Sequence, residues 1–203
     1  MEHNIYVIFS ATPYRIGKWI RKVTDNDYNH VSISLDGELS QMYSFSRRHY
    51  KTPLWGGFCH ESPARFRVRG ETTRILLCRL PVTQTQYTAL KKRLTQMHED
   101  RYRYLYNHLS ILSAPFHKVT PVRDAATCVE FCVSCLAPLG ISVTPGEYCT
   151  LQKLESKLRP WAIYEGPLPM GTETDEAFFT RTPFPFLKTC RDLFKLLPRV
   201  ELK

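Results

Sequence analysis

Two side chains in this sequence could do covalent chemistry together, the thiol of Cys128 and the imidazole of His30. A thiol becomes a useful nucleophile when its anion is favoured, and the two simplest means are a helix N-terminus and a neighbouring imidazole. In DAATCVEFCVSCLAPLG the apolar, helix-periodic run starts just after Thr127, which places Cys128 in the first turn of a helix. There the unpaired backbone N–H groups and the helix dipole favour a thiolate. The same N–H groups can hold an oxyanion. Cys132 and Cys135 follow at i+4 and i+7 and read as inert packing residues on the buried side.

His30 opens an alternating stretch in which Val31, Ile33 and Leu35 are apolar and Ser32, Ser34 and Asp36 are polar. Asp36-Gly37 then marks a turn before Gln41 to Phe45 return, so His30 sits at the end of a β-hairpin. The spacing alone also fits a purely structural arrangement, with three cysteines on one helix face and a histidine at a strand edge. A zinc module is a further alternative, since C-x3-C-x2-C with Cys149 beyond supplies four thiols. Three of these lie along one apolar helix rather than in a turn-borne knuckle, so no metal is expected.

NHVSISLD, the returning MYSF and, much later, TCVEF opening a helix together resemble the circularly permuted NlpC/P60 proteins. These are papain-like thiol enzymes whose His-bearing hairpin precedes the Cys-bearing helix, and they include proteins similar to lecithin:retinol acyltransferase. The likeness spans about residues 5 to 140. It implies an α+β fold in which an antiparallel sheet packs against the Cys128 helix. It further implies Cys128 as nucleophile, His30 as general base, and a covalent acyl-enzyme formed from an amide, ester or thioester, with no cofactor. The family's third polar residue orients the imidazole from the strand after the His strand, here QMYSFSRR. Alternation that buries Tyr43 and Phe45 aims Ser44 at the site, a one-residue slip selects Tyr43, and Gln41, backbone or water are the remaining choices. In WGGFCHE, Gly56 and Gly57 allow close backbone approach and are assigned to substrate binding. Glu61 reads either as an exposed loop carboxylate or as a substrate contact, and Glu130 is a second candidate contact.

The elements that must position these groups are legible in outline. Ile5 to Ser10 reads as a strand, followed by a helix capped at Thr12-Pro13 with Ile16, Trp19, Ile20 and Val23 on one face. Thr73 to Leu80 reads as another strand, and Thr83 starts a long helix with Leu90, Leu94 and Met97 on its inner side. Short helices are expected over Asn107–Ala114 and Thr127–Pro138. The division is a domain over residues 1–160 and a Pro-rich extension over 161–203 that ends in a helix.

Composition sets wider bounds. A chain of 203 residues with 43% hydrophobic and 23% charged content is ordinary for a globular protein. An odd count of seven cysteines, mostly in apolar segments, and an N-terminus without a basic leader point to a reducing, cytoplasmic setting. The net charge of +9 favours an anionic partner, and RFRVRG (65–70) and RYRYLYNH (101–108) raise a nucleic-acid surface as a rival to the enzyme. Substrate candidates are a small molecule, a peptide or an acyl lipid. Near the C-terminus, Leu187, Cys190, Phe194 and Leu197 form one helical stripe with Lys188, Arg191 and Lys195 elsewhere. Such a stripe either docks on its own domain or lies on a membrane.

Overall fold

A computed structural model of the chain describes residues 2–52, 54–66, 72–141, 148–168, 175–180 and 183–201. The first strand, β1 (Glu2–Ser10), is followed by helix α1 (Arg15–Thr24) and then by three strands, β2 (His30–Ser34), β3 (Met42–Arg47) and β4 (Gly56–Glu61). After β5 (Arg74–Thr83) come α2 (Gln84–Glu99), the short β6 (Leu105–Tyr106), α3 (His108–Ser113), the short β7 (Ala125–Ala126) and α4 (Cys128–Leu136). The chain closes with α5 (Leu151–Leu158), β8 (Ala162–Pro167), α6 (Glu176–Phe179) and α7 (Pro185–Leu196). The eight strands of the described residues join one sheet in the order β7-β6-β4-β3-β2-β1-β5-β8, antiparallel throughout except for β6 beside β7. The fold is α+β, and β8 carries the sheet past residue 160 by pairing with β5.

The apolar, β-branched segments form the middle of the sheet, and both of its faces are covered. Ile5, Val7, Phe9, Val31, Ile33 and Phe45 share the larger core with Leu90 and Leu94 of α2, Phe131 and Leu136 of α4, and Leu154 and Leu158 of α5. A smaller core on the other face gathers Ile8, Met42, Phe66, Ile75 and Leu168. This second layer explains one departure from the alternating pattern. Ser32 and Ser34 are fully buried rather than facing water, because the β2 face expected to be solvated is roofed over.

Helix starts follow capping chemistry where a cap exists. Thr83 caps α2 in a reciprocal box with Gln86, Asn107 caps α3 through the Ser110 N–H, and Thr127 caps α4. The expected cap at Thr12 is not used. Its hydroxyl accepts from Asn29 Nδ2 at 2.7 Å, and α1 starts at Arg15 instead. The side chains of Ile16, Trp19, Ile20 and Val23 lie outside the described residues. At the far end α7 docks, but not by the predicted stripe. Thr189, Asp192 and Leu196 are buried, Trp55 Nε1 donates to Asp192 at 2.9 Å, and Leu187, Phe194 and Leu197 face outward.

Candidate active site

The larger core sets the position of Cys128. Phe131, one turn further along α4, packs against Phe45 of β3 and Phe58 of β4 with ring centroids 5.4 and 5.6 Å apart. That contact presses the start of α4 onto the sheet beside the first residue of β2, His30. The α4 entrance is fixed in turn by its capping box, in which the Thr127 hydroxyl accepts from the Glu130 N–H at 3.2 Å and the Glu130 carboxylate accepts from the Thr127 N–H at 2.7 Å. The Cys128 and Val129 N–H groups have no carbonyl one turn earlier within the helix, so they remain as donors at its mouth.

Cys128, His30, Glu61 and Tyr106 all line one cleft of about 160 Å³, whose remaining walls include Tyr14, Phe45, Arg47, Phe66 and Phe178. His30 Nε2 lies 3.1 Å from both oxygens of Glu61. The Ser32 hydroxyl donates to the same carboxylate at 2.6 Å. Strand register accounts for this cluster. Glu61 pairs with Met42, and Met42 pairs with Ser34, so one sheet face carries Glu61 together with the even-numbered residues of β2. His30 is 8% and Glu61 2% exposed.

Two opposing effects set the charge of this pair. Burial alone would strip the proton from His30, but the Glu61 carboxylate, hydrogen bonds with Cys128 and Glu61, and the Cys128 charge outweigh it and raise His30 to about 10. Burial likewise pushes Glu61 up, yet the charge and hydrogen bond of His30, with help from Arg65 and Ser32, bring it down to about 2. The pair is therefore imidazolium and carboxylate across the neutral range. The Tyr106 hydroxyl is raised by burial, then by the nearby charges of Cys128 and Glu130, and by a hydrogen bond with Cys128. It stays a neutral donor beside the sulfur.

Several sequence expectations change here. Ser44 does lie on the inner side of β3, but its hydroxyl donates to the Val31 carbonyl at 2.7 Å and so ties the hairpin together instead of orienting His30. Tyr43 points to the opposite face and stacks on Phe58. The group bonded to the His30 ring is Glu61, which is neither a loop residue nor exposed, because WGGFCHE holds the whole of β4. Glu130 is occupied with the α4 cap and with Asn107 Nδ2 at 3.5 Å, and it is not among the residues that line the cleft. The glycines serve the approach of β6. A Cβ on Gly56 would meet Tyr106 Cβ at 2.9 Å, and one on Gly57 would meet the Tyr104 carbonyl at 2.2 Å. Gly56 also borders the cleft, whereas the space over Gly57 is filled by Arg48.

Tyr106 was missed as a site residue. It belongs to RYRYLYNH, whose last part turns inward: Leu105 and Asn107 are buried and Tyr106 lines the cleft with Cys128. Residues 67–70 of RFRVRG lie outside the described residues. Among the described residues none of the seven cysteines forms a disulfide. Burial raises the Cys132 thiol and pushes Cys135 to about 11. Among the described residues no group of His, Cys, Asp and Glu has the placement of a metal site, and no helix is long and apolar enough to cross a membrane. Comparison with protein-family models, curated proteins and solved structures gives no match.

Proposed function

We propose that the protein is a thiol acyl-transfer enzyme, cutting an amide, ester or thioester through an acyl-enzyme on Cys128, on a papain-like fold in permuted order. The observation that carries this reading is His30, hydrogen-bonded to the buried Glu61 carboxylate and lining the same cleft as Cys128. A histidine-bearing hairpin placed in the chain before a helix that starts at the cysteine supports the permuted order.

In the reacting form the proton stays on His30, whose positive charge Glu61 stabilises, and Cys128 acts as the thiolate of the ion pair. The sulfur attacks the carbonyl carbon, and the new C–S bond leaves a tetrahedral oxyanion. The Tyr106 hydroxyl and the first N–H groups of α4 are the donors available to that oxygen. Collapse expels the amine, alcohol or thiol, which takes the proton from His30. Water or a second nucleophile then gives its proton to His30, attacks the thioester and releases Cys128. Glu61 is a positioning residue in this scheme: it holds the ring and its charge and touches no reacting atom.

The test is acylation by a series of p-nitrophenyl esters from acetate to decanoate, followed by intact and peptide mass spectrometry. The expected result is one acyl group on Cys128 that turns over with p-nitrophenol release, and its loss in Cys128→Ala. Ester cleavage equal in the wild type and Cys128→Ala contradicts the proposal.

A further inference from the structure

Helix α7 divides into three sectors when its residues are projected at about 100° each. Thr189, Asp192 and Leu196 form the buried sector. Phe186, Leu187, Leu193, Phe194 and the following Leu197 form the next, and all of them are exposed: Phe186 by 75% and Phe194 by 72%. Lys188, Arg191 and Lys195 make up the third, which lies between the apolar and the buried sectors, with Lys188 4.9 Å above the Trp55 ring. A helix that only closes its own domain turns its apolar stripe inward. This one is anchored by its narrow sector and presents its largest apolar side chains to solvent.

The exposed sector has neighbours of the same kind. Leu196 packs with Leu105, Val122 and Leu109, which seats α7 against α3. On α3 and just after it, Ile111, Leu112 and Phe116 are also exposed, at 48, 72 and 74%. The Leu54-Trp55 segment links the two helices, since the Leu54 carbonyl accepts from His108 Nε2 at 2.9 Å and Trp55 contacts both Asp192 and Lys188 of α7. Leu54 and Ile111 line the cleft of Cys128 as well, so this apolar surface borders the mouth of the cleft.

We infer that α7, with the outer side of α3, is an interfacial anchor that seats the protein on an anionic lipid bilayer. Charge selects this occupant over a second copy of the chain. Lys188, Arg191 and Lys195 border the apolar sector against one acidic residue of α7, the buried Asp192, which Arg191 Nε meets at 3.1 Å, on a chain of net charge +9. Pairing two such faces would bring like-charged rows together, whereas anionic headgroups complement them while the phenylalanines enter the acyl boundary. The inference does not depend on the chemistry proposed for Cys128.

Co-sedimentation of the full chain with vesicles tests it, using pure phosphatidylcholine and phosphatidylcholine containing phosphatidylglycerol. Sedimentation velocity without lipid is run alongside. The chain should remain monomeric without lipid, partition onto the anionic vesicles, and bind neutral vesicles or anionic vesicles in high salt at least about tenfold more weakly. Phe186→Ser with Phe194→Ser should lower partition onto anionic vesicles by about tenfold or more, and Lys188→Gln with Lys195→Gln should remove the preference for the anionic lipid. Both double variants should keep the wild-type far-ultraviolet circular dichroism. No partition of the wild type onto anionic vesicles overturns the inference, as does partition that Phe186→Ser/Phe194→Ser leaves unchanged. A wild-type dimer that the same serine variant dissolves assigns the face to a second copy and also overturns it.

Discussion

Replacing Glu61 by glutamine keeps the side chain's shape and removes its charge, leaving His30 buried without the group that holds its proton. Both partners are almost fully enclosed, and the ring nitrogen is 3.1 Å from either oxygen. Breaking a buried pair by removing one partner costs about 3–5 kcal/mol. Glutamine can still accept from Ser32, so the lower end, about 3 kcal/mol, is expected. In a chain of this size that is roughly 6–12 °C in melting temperature.

The pH dependence follows from the two shifts. His30 is raised to about 10, so its share of the stability is complete below the ordinary histidine value of about 6.5 and is lost as pH rises through 10. Glu61 is lowered to about 2, so its share is present above the ordinary carboxylate value and is lost as pH falls through 2. The cost of Glu61→Gln is therefore largest between about pH 4.5 and 6.5, and most of it is gone by about pH 9.5. Urea unfolding followed by tryptophan fluorescence at pH 5.5 and 9.5 measures this. A variant as stable as the wild type at pH 5.5, or one with the same deficit at both pH values, refutes the ion pair.

Three further outcomes follow from the same geometry. Ser44→Ala should cost about 1 kcal/mol in urea unfolding through the lost bond to Val31, while the alkylation rate of Cys128 stays within about twofold; a tenfold drop would restore Ser44 to the site. Tyr106→Phe removes a donor next to the sulfur, so alkylation by a small reagent should persist while ester turnover falls by about a hundredfold. Unchanged turnover would exclude the hydroxyl from oxyanion binding. Gly57→Ala places a methyl 2.2 Å from the Tyr104 carbonyl and the Arg48 guanidinium, so β6 must move at a cost of about 2–3 kcal/mol in a urea titration. A neutral effect there would mean that β6 does not depend on the glycine.

How much of this was legible in the sequence differs by residue. Cys128 and His30 were readable because each is the first residue of an element with a strong local signature: a capping box before an apolar helical run, and an alternating hairpin. Glu61 was not, since its role depends on β4 being the third strand of a meander. The register through Met42 that brings it to His30 is a long-range pairing with no local mark, and two glycines at its start gave the segment the look of a loop. Tyr106 was hidden for a similar reason. Its two-residue strand is too short to have a period, and its inward turn is permitted by Gly56 on another strand. Ser44 was placed on the correct face by alternation, but which of two buried acceptors it meets is a matter of tertiary packing. The stripe on α7 was visible as a pattern, yet its outward direction depends on Asp192 and Leu196 finding partners in Trp55 and the α3 layer.

Activation of Cys128 by His30 can be read from the rate of iodoacetamide alkylation at each cysteine between pH 5 and 9, followed by peptide mass spectrometry. Cys132 and Cys135 are internal controls on the same helix, buried and raised. At pH 6 Cys128 should react at least about tenfold faster than the other six cysteines, and His30→Ala should remove this advantage. Cys128 as inert as Cys132 and Cys135, or equally reactive with and without His30, would contradict activation by His30.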